Sequence, residues 1–270
     1  MGALLTTAYR RVDRPTHTVD VFGDVAIVSV YADCDVDSIV RELPQSTVYL
    51  KRRPKEARKV VQGEAAPVEP LRGPRVEQLI AYENGLQFEI RPENGLSVGL
   101  YVDAADIRKW VMENSAGKTV LNLFAYTCGF SVAARAGGAV RAVNVDLSRK
   151  VLDWGERNHQ LNDLSVDRRD FISGDVFEWL RRFTKKGERF DLVVLDPPSF
   201  ANAPKSRFSA AHDYARLVSE VAPLVKERLV ACCNLETAST DTVRKWISQS
   251  MKVEKPLSAP GALKVFVARH

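Results

Sequence analysis

From residue 120 onward, short apolar runs rich in β-branched residues alternate with longer stretches of helical periodicity. That is the pattern of a parallel sheet whose strands are joined by crossover helices. Strands are expected at 120–124, 139–145, 169–173, 191–195, 229–233, 251–255 and 263–268. The last two are joined by residues 256–261, too few for a crossover, because parallel neighbours need roughly a dozen connecting residues. The expectation is an α/β, Rossmann-like sheet of seven strands, with the last two forming an antiparallel hairpin.

The first 95 or so residues read differently. Strands at 24–32 and 47–53 flank a short helix at 36–43. A hairpin joins 79–82 to 86–91 across Glu83-Asn84-Gly85, whose Asn-Gly is a strong turn signal. This predicts a small N-terminal α+β domain over 1–97 and a larger domain over 98–270. The stretch 54–75 holds Pro54, Gly63, Pro67, Pro70, Gly73 and Pro74 and reads as a long surface loop. No internal repeat is visible.

Composition narrows the class. With 45% hydrophobic and 27% charged residues the chain is too apolar to be disordered. Lysine plus arginine (39) exceed aspartate plus glutamate (34), a net charge of +5 that suits an anionic partner without requiring one. Cys34, Cys128, Cys232 and Cys233 form no CxxC, and the four histidines are scattered. Neither a disulfide framework nor a metal site is expected, and a reducing cytoplasm fits. No apolar run reaches the length of a membrane helix.

The chemistry collects at the predicted strand ends. The first strand of the larger domain runs into Asn122-Leu123-Phe124-Ala125-Tyr126-Thr127-Cys128-Gly129-Phe130-Ser131, with a helix from about Phe130. In a doubly wound sheet this turn lies where a nucleotide-like ligand approaches the backbone. A single glycine disfavours a dinucleotide pyrophosphate. The second strand ends at Asp146, placed to pair with ribose hydroxyls or to cap the next helix, a task for which Ser148 is better suited. In Ser173-Gly174-Asp175-Val176-Phe177, Asp175 can accept from an adenine amino group beside an apolar neighbour, or simply mark a turn. The fourth strand runs into Asp196-Pro197-Pro198-Ser199-Phe200. Two prolines make a stiff turn with bare carbonyls that, with Asp196, can orient a base edge on which Phe200 stacks.

As a set these residues resemble class I S-adenosylmethionine-dependent methyltransferases, and among them the large-subunit (23S) ribosomal RNA methyltransferases related to the cytosine-C5 and guanine-N7 enzymes. The resemblance is carried by Gly99-Leu100-Tyr101-Val102-Asp103 with Asp106 and Arg108, by 121–131, by Asp146, by Gly174-Asp175-Val176-Phe177 and by 195–200, over roughly residues 80–270. It implies that S-adenosylmethionine is the cofactor. Tyr126, Thr127 and Gly129 would hold its methionine part, Asp146 its ribose and Asp175 its adenine, with Phe124 and Val176 in the same set. Asp196, Pro197 and Pro198 would border the target base, with Phe200 and Asn234 among the catalytic residues. It further implies an RNA partner, most simply ribosomal RNA, gripped in part by the small N-terminal domain. Two departures stand out: Ala104-Ala105 where relatives often carry Gln-Arg, and Cys128 where a second glycine is common.

The atom methylated decides what else is needed. Cytosine C5 becomes nucleophilic only after a thiolate adds at C6, and Cys232 or Cys233 can supply one. A guanine nitrogen carries its own lone pair, and the amide of Asn234 can hydrogen-bond a guanine edge. A base nitrogen is therefore favoured over cytosine C5. Lys51, Arg52, Arg53, Lys55, Arg58 and Lys59 form a basic run that is either a solvated loop or a phosphate contact, and Lys205 and Arg207 follow the base motif. A small-molecule methyltransferase and a non-catalytic RNA-binding protein on the same fold are the rival functions.

Overall fold

The computed structural model describes residues 7–53, 65–203 and 206–270, with the side chains of 201–207 outside that description. The chain divides into two units, Met1–Ala105 and Asp106–His270.

In the first unit β1 (Ala8–Asp13), β2 (His17–Phe22), β3 (Val25–Val30) and β4 (Thr47–Arg52) form one sheet in sequence order. The first three are antiparallel neighbours. The parallel β3–β4 pair is made possible by the crossover helix α1 (Val36–Glu42). Val19, Val21, Ala26, Val28, Val48 and Leu50 form the core, packed against Val36, Ile39 and Val40 of α1. β1 and β2 were not expected from the sequence. The hairpin was: β5 (Leu79–Glu83) pairs with β6 (Leu86–Ile90), and Asn84 and Gly85 both take positive φ (51° and 80°), as a type I′ turn requires.

Over its described part, 65–75, the expected surface loop is mostly exposed, as read from the sequence, but it is docked on the sheet; residues 54–64 lie outside the described residues. Ala65 and Ala66 are buried, and the Val48 amide donates to the Arg72 carbonyl (2.9 Å). The Arg72 guanidinium donates to the carbonyls of Val40 (2.7 Å), Leu43 (2.7 Å) and Gln45 (2.5 Å). Three carbonyls at the end of α1 thus find their donor in this segment, which docks it against the sheet.

The second unit begins within α2 (Ala105–Glu113) and then builds the expected sheet. Its strands are β7 (Thr119–Leu123), β8 (Arg141–Asp146), β9 (Phe171–Ser173), β10 (Phe190–Leu195), β13 (Val225–Cys233), β14 (Lys252–Leu257) and β15 (Lys264–Arg269), in the order β14-β15-β13-β10-β7-β8-β9. Five are parallel, and β15 pairs antiparallel with both β13 and β14. Helices α3 (Gly129–Ala136), α4 (Arg149–Leu161), α5 (Val176–Lys186), α6 (Ala210–Val221) and α7 (Thr240–Ser248) cover it. Leu121, Leu123, Val143, Val145, Val193 and Leu195 pack with Leu180, Leu217 and Ile247 of α5, α6 and α7 on one face. Asn122 and Asn144, one residue out of phase, face the other side and bond to each other (3.1 Å). A further pair, β11 (Phe200–Ala203) with β12 (Ser206–Ser209), follows the Pro-Pro turn and was not expected.

Strand order fixes where a ligand can enter. The chain runs from β7 outward through β8 and β9, then returns to the opposite side of β7 with β10. The loops leaving β7 and β10 therefore diverge and open a crevice at the carboxyl edge.

Candidate functional site

Residues 124–128 leave β7 in an unusual conformation. Phe124, Tyr126 and Cys128 all have positive φ (58°, 48° and 63°), each costing on the order of 1 kcal/mol for a residue with a Cβ. Neighbours hold them there. The Ala125 amide donates to the Val145 carbonyl (3.1 Å), the Tyr126 amide to Oδ2 of Asp146 (2.9 Å) and the Cys128 amide to the Ala125 carbonyl (2.8 Å). α3 then starts at Gly129 with no side chain capping its first turn and no acidic residue in it, so that turn keeps its amide donors and positive dipole end. The position of Cys128 also explains why a glycine suits this place: its φ lies in the region glycine adopts without strain.

Asp146 ends β8 and is half-buried. Oδ1 accepts from the Ser148 amide (2.9 Å) and Oδ2 from Tyr126. The carboxylate thus replaces Ser148 as the cap of the turn into α4, where Ser148 makes no side-chain cap bond. Burial raises its pKa, opposed by the hydrogen bonds from the backbone amides of Ser148, Tyr126 and Leu147. With three amides donating to it, the carboxylate keeps about one of its four acceptor positions for a hydroxyl donor.

The Gly174 amide donates to the Asp146 carbonyl (2.9 Å), which brings the next strand end alongside. Asp175 there is the N-cap of α5, its Oδ1 accepting from the Glu178 amide (3.2 Å), and Val176 is buried in the core cluster. Across the crevice the Asp196 amide reaches the Leu123 carbonyl (3.5 Å). Pro197 is buried, Pro198 is exposed, and Phe200 presents 71% of its surface. Ser199 Oγ donates to the Asn234 carbonyl (3.3 Å), so the Pro-Pro turn and the end of β13 are tied together. Phe124 packs on Phe208 (6.0 Å between ring centres), which links β12 to the first loop. Phe124, Tyr126, Thr127, Gly129, Asp146 and Asp175 thus lie on one edge with Asp196, Pro197, Pro198, Phe200 and Asn234.

Cys232 and Cys233 are buried, and Tyr214 donates its hydroxyl to the Cys232 carbonyl (2.7 Å). Burial pushes the Cys233 thiol up, away from the thiolate a nucleophile needs. In the basic run, Lys51 is not a solvated residue: its side chain is fully buried on β4, 5.8 Å from the Tyr49 ring. Burial, then the charge of Arg53, lowers its pKa to about 8. Arg53 donates to the Leu96 carbonyl, and Arg52 is exposed. Lys55, Arg58, Lys59 and Lys205 lie outside the described residues, as does the side chain of Arg207. Among the described residues no group of three or more metal-ligating side chains occurs, and no helix is long and apolar enough to cross a membrane.

Two contacts of the first loop were not anticipated. Asn158 of α4 donates through Nδ2 to the Thr127 carbonyl (3.0 Å), and Gly155 lies against Cys128. A glycine in mid-helix was the one available signal; a contact across 31 positions has no local signature.

The model of a family described as S-adenosylmethionine-dependent methyltransferase matches residues 5–251. The chain belongs to this family. S-adenosylmethionine is accordingly its cofactor, and the strand-end groups fit it: a carboxylate that can accept from hydroxyls and an uncapped helix start that can receive a carboxylate. Among relatives of the family, the chain is 38% identical over 189 residues to ribosomal RNA large subunit methyltransferase I of Aeromonas salmonicida, covering 70% of this chain and 44% of that one. It is 43% identical over 129 residues to ribosomal RNA large subunit methyltransferase K of Neisseria meningitidis, covering 48% and 36%. The chain spans about half or less of the length of these relatives. A methyltransferase solved with S-adenosylhomocysteine superposes with a TM-score of 0.85 at 26% identity, over 99% of this chain and 76% of that one. A methyltransferase from Streptococcus mutans gives 0.83 at 25%, with the same coverage.

Proposed function

We propose that the chain methylates a nucleobase of large-subunit ribosomal RNA, at a guanine nitrogen. What supports this reading is the strand order, which sets β7 and β10 side by side so that the β7 loop and the Asp196-Pro197-Pro198 turn with exposed Phe200 share the carboxyl edge of the sheet. The relatives named as ribosomal RNA large subunit methyltransferases supply the substrate class.

The cofactor supplies a methyl group on a sulfonium, ready for in-line displacement. The protein's part is to align the two reactants and exclude water. Tyr126, Thr127 and Gly129 would bind the methionine part, Asp146 the ribose and Asp175 the adenine. Asp196 and the Pro-Pro carbonyls would orient the base edge with Asn234, while Phe200 stacks on its face. A guanine nitrogen is preferred to cytosine C5 because Cys233 is buried with its thiol held protonated, and Cys232 is buried as well. The small N-terminal domain would add RNA contacts, and a ribosomal substrate implies work in the cytoplasm.

Incubating the chain with isotopically labelled S-adenosylmethionine and unmodified ribosomal RNA tests this. Label should enter a guanine, survive Cys232→Ser and Cys233→Ser, and be lost in Asp196→Ala and Asn234→Ala. A covalent adduct with 5-fluorocytosine-containing RNA, abolished by one cysteine change, would replace the guanine reading with cytosine C5. Label in metabolites alone would remove RNA as substrate.

A further inference from the structure

In the β7 loop, Ala125 and Tyr126 are held from β8 through their amides and the Cys128 amide closes on the Ala125 carbonyl, while a second element braces the far end of the loop, Thr127 and Cys128, from behind. That element is α4. Trp154 and Asn158 stand one turn apart on it: Trp154 packs against the Tyr126 ring (6.4 Å between centres), and Asn158, fully buried, donates to the Thr127 carbonyl (3.0 Å). Between them Gly155 lets the helix backbone come so close that an added Cβ would lie 2.3 Å from Cys128 Sγ and 2.8 Å from its Cβ. Cys128 itself is fully buried, so it has nowhere to retreat. The helix is anchored in turn, since Arg149 at its start donates to the Phe171 carbonyl of β9 (2.8 Å).

We propose that Asn158 and Gly155 are positioning residues for cofactor binding: α4 clamps the loop from behind and fixes the backbone of residues 126–128 in the strained form that receives the methionine part of S-adenosylmethionine. This rests on the reading that the 124–129 loop holds that part. Neither residue touches the cofactor. Their effect passes through the Thr127 carbonyl and the Cys128 side chain, and it lowers the cost of binding by removing freedom the loop would otherwise lose.

The test measures S-adenosylhomocysteine affinity by calorimetry, together with hydrogen exchange of segment 124–129 with and without that ligand. In the wild-type chain the ligand should slow exchange across 124–129. Asn158→Ala should then weaken affinity about tenfold, one buried hydrogen bond's worth, and Gly155→Ala at least as much. Asn158→Asp, nearly isosteric, carries the decisive readout: a protonated carboxyl donates to the Thr127 carbonyl and an ionised one cannot. Its affinity relative to wild type should approach unity at acid pH and fall as pH rises, a profile that a merely space-filling role would not give. Loop protection with Asn158→Ala and Asn158→Asp both binding within about twofold of wild type at every pH would overturn the clamp alone. Ligand binding without protection of 124–129 would instead overturn the placement of the cofactor on this loop, and the clamp with it.

Discussion

Asp146 shows how much one side chain carries here. Its two oxygens accept the Tyr126 and Ser148 amides, so the carboxylate shapes the first loop, and on the proposed reading it also binds the cofactor's ribose. Asp146→Ala should weaken S-adenosylmethionine binding by about 1–3 kcal/mol, read by calorimetry; unchanged affinity in a folded variant would remove its assignment. His159 gives an independent pH signature. Burial, opposed by the hydrogen bond to the Gly155 carbonyl, lowers its pKa to about 4. In the unfolded chain the same ring titrates near 6.5, so as pH falls below that value the unfolded state takes up a proton the folded state refuses. Stability should be complete above about pH 7 and decline towards pH 4 by up to about 3 kcal/mol, a slope that urea titrations should find absent in His159→Gln. At this scale the sequence shows acidic residues at strand ends because chain position alone places them. It does not show that Lys51 and Arg53 turn inward, since a charged residue on a short strand carries no mark of the side it faces.

Elements were legible where their periodicity was strong. The five parallel strands and the closing hairpin follow from apolar runs, and the β5–β6 turn from Asn84-Gly85. β1 escaped because Ala8-Tyr9-Arg10-Arg11-Val12-Asp13 is an edge strand, half-exposed and charged, whose partner supplies the pairing that its composition does not suggest. The β11–β12 pair escaped because four-residue strands carry too little pattern. α5 offers a test that separates an element's stability from its chemistry. Asp175 caps it, so Asp175→Ala should cost about 1 kcal/mol of stability in thermal or denaturant melts. Asp175→Ser restores a cap but shortens the side chain; if Asp175 also accepts from adenine, stability should recover while cofactor affinity stays reduced. Full recovery of both would reduce Asp175 to a cap.

On the scale of the whole molecule, the net charge of +5 and the exposed Arg52 at the end of β4 bear on an RNA partner. Arg52→Ala should lower RNA affinity across many sequences and flatten its salt dependence by up to about one unit, whereas Lys51 and Arg53 changes should act first on folding. An unaltered slope would leave Arg52 a solvated residue. The central claim, that the β7 and β10 loops together methylate a ribosomal RNA base, is tested most directly by mass spectrometry of large-subunit ribosomal RNA from cells with the gene deleted. One methylated guanine should disappear, return with the wild-type chain and not return with the Asp196→Ala chain. An unchanged set of modified nucleotides in the deletion strain would contradict it.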